Sequence, residues 1–383
     1  MSKVNELINK LCPNGVKFYK IKEISSVTIG EFVHKNKQSD DGQYPVYNGG
    51  TSNTGFYDEY NNDGHKVIIS ARGANAGFIN RVKGKYWAGN SCYTININDE
   101  SKLDWNYLYQ YLKNNQSTLL GVQQTGSIPA ISKKQVEDFK IAIPPIEVQE
   151  EIVRILDKFG ELEAELEAEL EARKSQYEFW REKLLNTGNS NQEYIALGDI
   201  GKVCMCKRIM KNETSDSGDV PFYKIGTFGK QADAYISYDI FNDYKKRFSY
   251  PKKGEILVSC SGTIGRSVVF DGEDAYFQDS NIVWLSNDES KVLNKFLYYF
   301  YQTSPWNISD GGTIKRLYNN QFISAKVPLY SLEEQKKIVN ILERFDKLIN
   351  DISEGLPAEI ELRRKQYDYY RNKLLSFEEL SCE

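Results

Sequence analysis

The sequence predicts an α+β protein: two similar strand-rich α/β domains separated by two long helices, the helices packed as an antiparallel coiled coil in a pseudo-twofold, cyclic-repeat plan. Three observations carry this. Residues 146–159, IEVQEEIVRILDKF, align without a gap on 332–345, LEEQKKIVNILERF, at an offset of 186 with seven identities. QYEFWREKLL (176–185) returns as QYDYYRNKLL (366–375) at an offset of 190. A repeat of about half the chain length marks a duplicated architecture and not a short-period solenoid. The resulting division is a first domain over 1–145, a helix over 146–186, a second domain over 187–330, a second helix over 331–376 and a tail over 377–383.

Taken in order, residues 3–12 form a short helix stopped by Pro13-Asn14-Gly15. From Val16 to about Asn98, short apolar runs such as YPVYNG, KVIISA and CYTINI alternate with Gly, Asn and Asp clusters, which is a strand-rich pattern. Leu103 to Leu120 reads as a helix, and FKIAIP is a strand ending at Pro144-Pro145, where a long helix enters. In that helix Ile152, Ile155, Phe159, Leu162, Leu166, Leu170, Tyr177, Trp180 and Leu184 step mostly by three and four, an apolar stripe that needs a partner helix. Its centre, LEAELEAELEAR, is built from strong helix formers and predicts a rigid, solvated rod.

The second domain repeats the plan of the first. KFYKIKEI (17–24) corresponds to EYIALGDI (193–200) and YPVYNGG (44–50) to VPFYKIG (220–226), both at 176. Ser70–Gly73 corresponds to Ser259–Gly262 and Asn90–Tyr93 to Asp279–Ile282 at 189, and Gly126-Ser127-Ile128 to Gly312-Thr313-Ile314 at 186. The second long helix opens on a capping box, Ser331 to Glu334, carries Ile338, Ile341, Phe345, Leu348 and Ile352 as its stripe, and should stop or restart at Gly355-Leu356-Pro357.

Composition narrows the function. The net charge of −4 excludes a uniformly basic nucleic-acid binder, but the acid is concentrated: residues 1–146 carry +4, 147–186 carry −6, 187–331 carry +1 and 332–383 carry −3. The globular parts are mildly basic, which permits a DNA-facing surface. Six cysteines without a CxxC pair and two separated histidines give no metal-ligand spacing. No apolar run reaches the roughly 18 residues of a membrane helix and the N-terminus has no signal-peptide core, so a cytoplasmic protein with no membrane contact is expected. No GxxxxGK[ST] occurs, and Ile143-Pro144-Pro145-Ile146 lacks the polar and aromatic flanks a base-flipping loop needs.

Two related domains joined by a rod suit the reading of two short segments of an extended ligand, with duplex DNA the foremost candidate. The order of blocks YPVYNGG, ISARG, SCSGTIG, FQDSN, LEAELEAELEARKSQYEFWREKLL and EGLPAEIELRRKQYDYYRNKLL resembles the specificity subunit of type I restriction-modification systems over nearly the whole chain. The resemblance implies a non-catalytic subunit with two target-recognition domains, each reading half of a bipartite site in double-stranded DNA. It implies that the paired helices set the gap and dock two adenine methyltransferase subunits, with restriction and translocase subunits joining that core. S-adenosylmethionine, ATP and Mg would then belong to the partner subunits alone. Rival readings are a protein-only coiled-coil adaptor, an enzyme acting on DNA, and an orphan specificity subunit without an active partner.

Candidate DNA contacts are basic and polar residues in Gly-rich loops, where they can reach phosphates or base edges. In the first domain these are His34, Lys35, Lys37, Asn53, Arg72, Lys83 and Lys85. In the second they are Lys207, Arg208, Lys230, Lys245, Lys246, Arg247, Thr263, Lys315 and Arg316. For each, a solvated surface charge or turn residue is the competing explanation. Helix pairing and partner docking fall to the two stripes, with Tyr367 added on the second helix.

Overall fold

The structure is a computed structural model that describes residues 2–121, 129–185, 192–308 and 315–380. The matched blocks 126–128 and 312–314 lie outside the described residues. The chain divides into two compact units, one formed by Met1–Glu167 with Ile360–Glu383, the other by Ala168–Glu359.

Among the described residues the first unit holds three sheets. A four-stranded antiparallel sheet runs Ser25–Ile29, Cys92–Ile97, Lys66–Ser70, Ile79–Val82 in spatial order. A three-stranded sheet orders Phe56–Tyr57, Tyr44–Tyr47 and Trp87–Ala88, the last two parallel. Lys17–Lys20 pairs with Lys140–Ile143. The second unit repeats each of these with Gly201–Cys204, Ile282–Asn287, Ile256–Ser259 and Ser267–Val269, then Tyr235–Ile236, Val220–Tyr223 and Tyr276–Phe277, then Tyr194–Ala196 with Lys326–Pro328. The topology is thus duplicated strand for strand. The rise of the repeat offset from 176 to 189 between the YPVY and SARG blocks is explained by helix Tyr238–Arg247, for which the described residues of the first unit have no counterpart.

The long helices that run beside these sheets are α1 (Ile146–Leu185), α2 (Leu332–Asn350) and α3 (Leu356–Leu374). α2 starts on the expected capping box, Ser331 Oγ accepting from Glu334 N at 3.2 Å and Glu334 accepting from Ser331 N at 3.1 Å. The break falls where Gly355 was expected to place it. Gly355 N donates to Asp351 O at 3.0 Å, and a Cβ there would lie 2.6 Å from the Asp351 and Lys347 carbonyls, so only glycine fits.

Within the first unit the early part of α1 packs antiparallel to α3. Phe159 meets Tyr370 and Tyr367 at ring distances of 5.5 and 6.3 Å, and Arg364 reaches Glu163 and Glu167 further along α1. Within the second unit the late part of α1 packs antiparallel to α2, with Tyr177 6.2 Å from Phe345 and the Leu184 carbonyl accepting from the Tyr330 hydroxyl at 3.2 Å. The apolar cores join helix to domain: Val148, Ile152 and Leu156 belong to the core of the first sheet, and Ile338, Leu342 and Ile349 to that of the second unit. The buried face of α2 therefore runs Ile338, Leu342, Phe345, Ile349, while Ile341 and Leu348 lie on its exposed side and Ile352, beyond the helix end, is 86% exposed. The α2 stripe read from sequence is rotated from this face, because α2 also buries a side against helix Asn294–Tyr301. Trp180 likewise stands outward on α1. Among the described residues no helix is long and apolar enough to cross a membrane.

Candidate nucleic-acid interface

In the first unit, strand Lys66–Ser70 ends in a tight turn that exposes Arg72. Gly73, at φ +96°, donates its N–H to Pro129 O at 2.9 Å, and Arg72 bridges Ala130 through the backbone. The 48–53 loop folds against this turn. Ser70 Oγ donates to Gly50 O at 2.8 Å, and Gly49 approaches the Arg72 carbonyl so closely that a Cβ would stand 2.5 Å from it. Asn53 spends its amide on Gly55 O at 3.4 Å, while Thr54 donates to Gln38 at 3.3 Å. That last bond ties in the 3₁₀ turn Lys35–Lys37, whose flanking His34 sits edge-on to exposed Phe32 at 4.7 Å. His34, Lys35, Lys37, Asn53 and Arg72 thus lie on loops that touch one another.

Lys83 and Lys85 do not join them. Val82 pairs with Lys66, so both lysines follow the opposite end of the sheet, roughly 17 Å away along five residues of strand. There Lys83 lies 5.6 Å over Trp105 and Lys85 4.4 Å over Tyr60, whose hydroxyl raises the Lys85 pKa. His65 stacks on the same Trp105 at 4.6 Å.

In the second unit the equivalent strand end gathers Arg208, Thr263 and Arg316. Ser259 Oγ donates to Thr263 O at 2.5 Å, and Ser261 Oγ to Asn281 Oδ1 at 2.9 Å. Arg208 Nε donates to Asp279 at 2.9 Å and Arg316 Nη2 to Ser280 O at 2.6 Å. Leu317 N donates to Cys260 O at 2.8 Å, which fixes the segment carrying Lys315 and Arg316 beside this turn. Lys230 follows Gly229, next to Arg266, whose guanidinium donates to Phe228 O at 2.9 Å. Lys245, Lys246 and Arg247 form a second basic group at the end of helix Tyr238–Arg247. Lys245 pairs with Asp274 at 3.1 Å and Arg247 with Asp243 at 2.7 Å, and Lys207 reaches over Phe248 at 5.3 Å.

Sequence reasoning passed over Asp279, Arg266, Phe32 and Tyr318. Phe32 and Tyr318 are exposed aromatics beside basic residues, and their signal was an apolar side chain in a loop with no strand period. The buried thiols are inert: burial pushes Cys92 and Cys206 up to about 12 and Cys260 to about 11. Among the described residues no group of three or more His, Cys, Asp or Glu could hold a metal.

The strand-for-strand duplication is matched by the comparison with known families. The model of the type I restriction modification DNA specificity domain matches residues 13–172 and again 189–362. The chain belongs to the type I restriction-modification specificity family. A putative type I restriction enzyme specificity subunit of Haemophilus influenzae is 49% identical over 349 residues, 88% of this chain and 89% of the relative. The EcoR124I/EcoR124II specificity subunit of Escherichia coli is 31% identical over 73% of this chain and 72% of its own length. The type I restriction-modification S subunit of M. genitalium shares the fold at a TM-score of 0.56 and 19% identity, covering 94% of this chain and 96% of that one. The HsdS subunit of Thermoanaerobacter tengcongensis matches at 0.55 and 14%, over 95% and 97%. As a member of the family, the chain is a non-catalytic type I specificity subunit with two specificity domains.

Proposed function

We propose that each unit reads one half of a bipartite site in double-stranded DNA through the loops at the Arg72 and Thr263 strand ends. The observation that carries this is that the same strand end occurs in both units with different side chains on it. Arg72 follows the strand with Asn53 and His34 on adjoining loops in one, and Arg208, Thr263 and Arg316 gather in the other. One scaffold with two sets of contacts suits two different short sequences. Lys83, Lys85, Lys230, Lys245, Lys246 and Arg247 serve the phosphate backbone, where charge positions the protein without reading sequence.

The same proposal gives α1 and the α2–α3 region two tasks, setting the gap between half-sites and docking two methyltransferase subunits. A repeated surface feature supports the docking. Phe179 and Trp180 stand exposed on α1, edge to face at 5.5 Å with Lys183 5.0 Å over Trp180. Tyr369 and Tyr370 on α3 repeat the pair at 5.3 Å, Lys373 lying 5.9 Å over exposed Tyr369 as Lys183 lies 5.8 Å over Phe179, while Tyr370 is half-buried against Phe159. One patch present twice fits one partner bound twice. S-adenosylmethionine, ATP and Mg are assigned to those partners and to the restriction subunits, none to this chain, and the complex is assigned to the cytoplasm.

A base-resolution map of adenine methylation, made in cells co-expressing the chain with its modification subunit, tests the reading. Two short defined halves around a fixed gap are expected, with Arg72→Ala altering one half alone. A single continuous motif, or none from an assembled complex, would return the chain to the protein-only adaptor, for which the exposed aromatic patches are the one favourable observation.

A further inference from the structure

We propose that Arg208, buttressed by Asp279, reads a guanine in the half-site of the second unit; this rests on the two-reader function above and adds the residue and the base. The pair joins two loops 71 residues apart in sequence, Arg208 Nε donating to Asp279 Oδ2 at 2.9 Å. The two partners are unequally solvated. The Asp279 side chain is 16% exposed, while that of Arg208 is 66% exposed. A guanidinium held by its Nε leaves its outer Nη1/Nη2 edge for a ligand, a planar fork whose spacing matches O6 and N7 of guanine in the major groove.

The turn beneath the arginine is built to hold it. Ser280 adopts φ +59°, a left-handed conformation that a residue with a Cβ rarely takes. Its carbonyl accepts from Arg316 Nη2 at 2.6 Å, and its hydroxyl lies 3.4 Å from Asp279. Asn281 next in the chain accepts from Ser261 at 2.9 Å. A strained turn clasped from two sides fixes the carboxylate, and the carboxylate fixes the arginine. An ordinary surface ion pair between two flexible side chains has no such foundation.

Charge decides between base and backbone. A cation meant for a phosphate does best without a neighbouring carboxylate, which repels the phosphate. Pairing with Asp279 leaves the couple neutral overall and favours a neutral base edge. The first unit is built otherwise: its corresponding turn is Asn90-Ser91, with Ser91 N donating to Asn48 Oδ1 at 3.1 Å, and holds no carboxylate. The guanine contact therefore belongs to one half-site only. In this scheme Arg208 touches the base and Asp279 is a positioning residue.

The test is the methylation map repeated with Arg208→Lys, Arg208→Ala and Asp279→Asn in the assembled complex. Arg208→Lys keeps the charge at an exposed site and removes the fork. It is expected to relax one G·C pair in the half-site that Arg72→Ala leaves intact, with discrimination there falling on the order of ten- to a hundredfold. Asp279→Asn is expected to relax the same pair and no other, a change in specificity that loss of folding cannot mimic. If lysine restores what alanine loses while every motif position keeps its preference, Arg208 is a phosphate contact and the proposal fails. It fails equally if that half-site contains no G·C pair. Absence of any split motif with the unmodified chain would instead overturn the two-reader function itself.

Discussion

Gln149 makes to the backbone of Lys102, Asp104 and Pro144 the three hydrogen bonds that Gln335 makes to Lys291, Leu293 and Tyr330. In each case Nε2 donates to two carbonyls, at 2.8 and 2.7 Å for Gln149 and 2.8 and 2.9 Å for Gln335, and Oε1 accepts one N–H, at 2.9 and 2.8 Å. Both side chains are fully buried. Two carbonyls and one N–H leave the amide a single satisfactory orientation. The glutamine pins the first turn of a long helix to the domain that precedes it.

Replacing either clamp by an apolar residue of similar size should be costly, because three backbone groups lose their partners in a dry site. Gln335→Met is expected to destabilise the second unit by about 3 kcal/mol or more, and Gln149→Met the first unit by a similar amount. Denaturant unfolding measures both. A loss below about 1 kcal/mol in either would mean that water replaces the amide.

Glu151 gives a pH dependence. Its side chain is 5% exposed and accepts from Arg154 at 2.7 and 2.9 Å and from Lys3 at 3.0 Å, which together hold its carboxyl at about 2 against an ordinary value of 4.5. A depressed carboxyl stabilises the folded state above its unfolded pKa and loses that contribution as pH falls from about 4.5 toward 2. Glu151→Gln should therefore melt below the parent chain at pH 7 and converge with it as the pH nears 2. A melting difference unchanged between pH 7 and 3 would show that packing, and not ionisation, is what Glu151 supplies.

The LEAE array offers a length change that preserves phase. Four residues advance a helix about 6 Å and turn it about 400°, so the same face stays toward its partner. One added LEAE unit between Leu162 and Arg173 is expected to lengthen the undefined gap of the methylation motif by one or two base pairs, with both halves unchanged. A gap of the original length would disconnect α1 from spacing.

The aromatic patches predict stoichiometry. Phe179→Ser should remove one of two modification subunits and Tyr369→Ser the other, with the double variant binding none; native mass spectrometry of the complex counts them. Exposed aromatic anchors of this kind commonly carry about 2 kcal/mol or more of an interface. Two retained subunits in the double variant would place docking elsewhere.

Much of this was legible in the sequence because duplication reports itself. The paired offsets pointed to the long helices and the repeated strand order, and Gly355-Leu356-Pro357 to the break between α2 and α3. The Gln149/Gln335 identity was visible too, but its meaning was not, since the partners Lys102 and Lys291 lie more than forty residues upstream. Loop chemistry was legible only residue by residue. Lys83 and Arg72 look equivalent as cations following neighbouring strands, and only the antiparallel register sends them to opposite ends of one sheet. Arg208 and Asp279 carry no mutual sequence signal, because nothing local encodes an approach across 71 residues.

The tail sets an order of synthesis. Val16 donates to Glu378 O at 2.9 Å and accepts from Leu380 N at 3.0 Å, and Leu374 and Leu375 sit in the core of the first unit. Every residue of the second unit leaves the ribosome before those last segments do. Of the two units, the one whose strands are translated earlier is therefore completed later, and until Leu374 and Leu375 arrive its core has an apolar face uncovered, the stage at which a chaperone would find it.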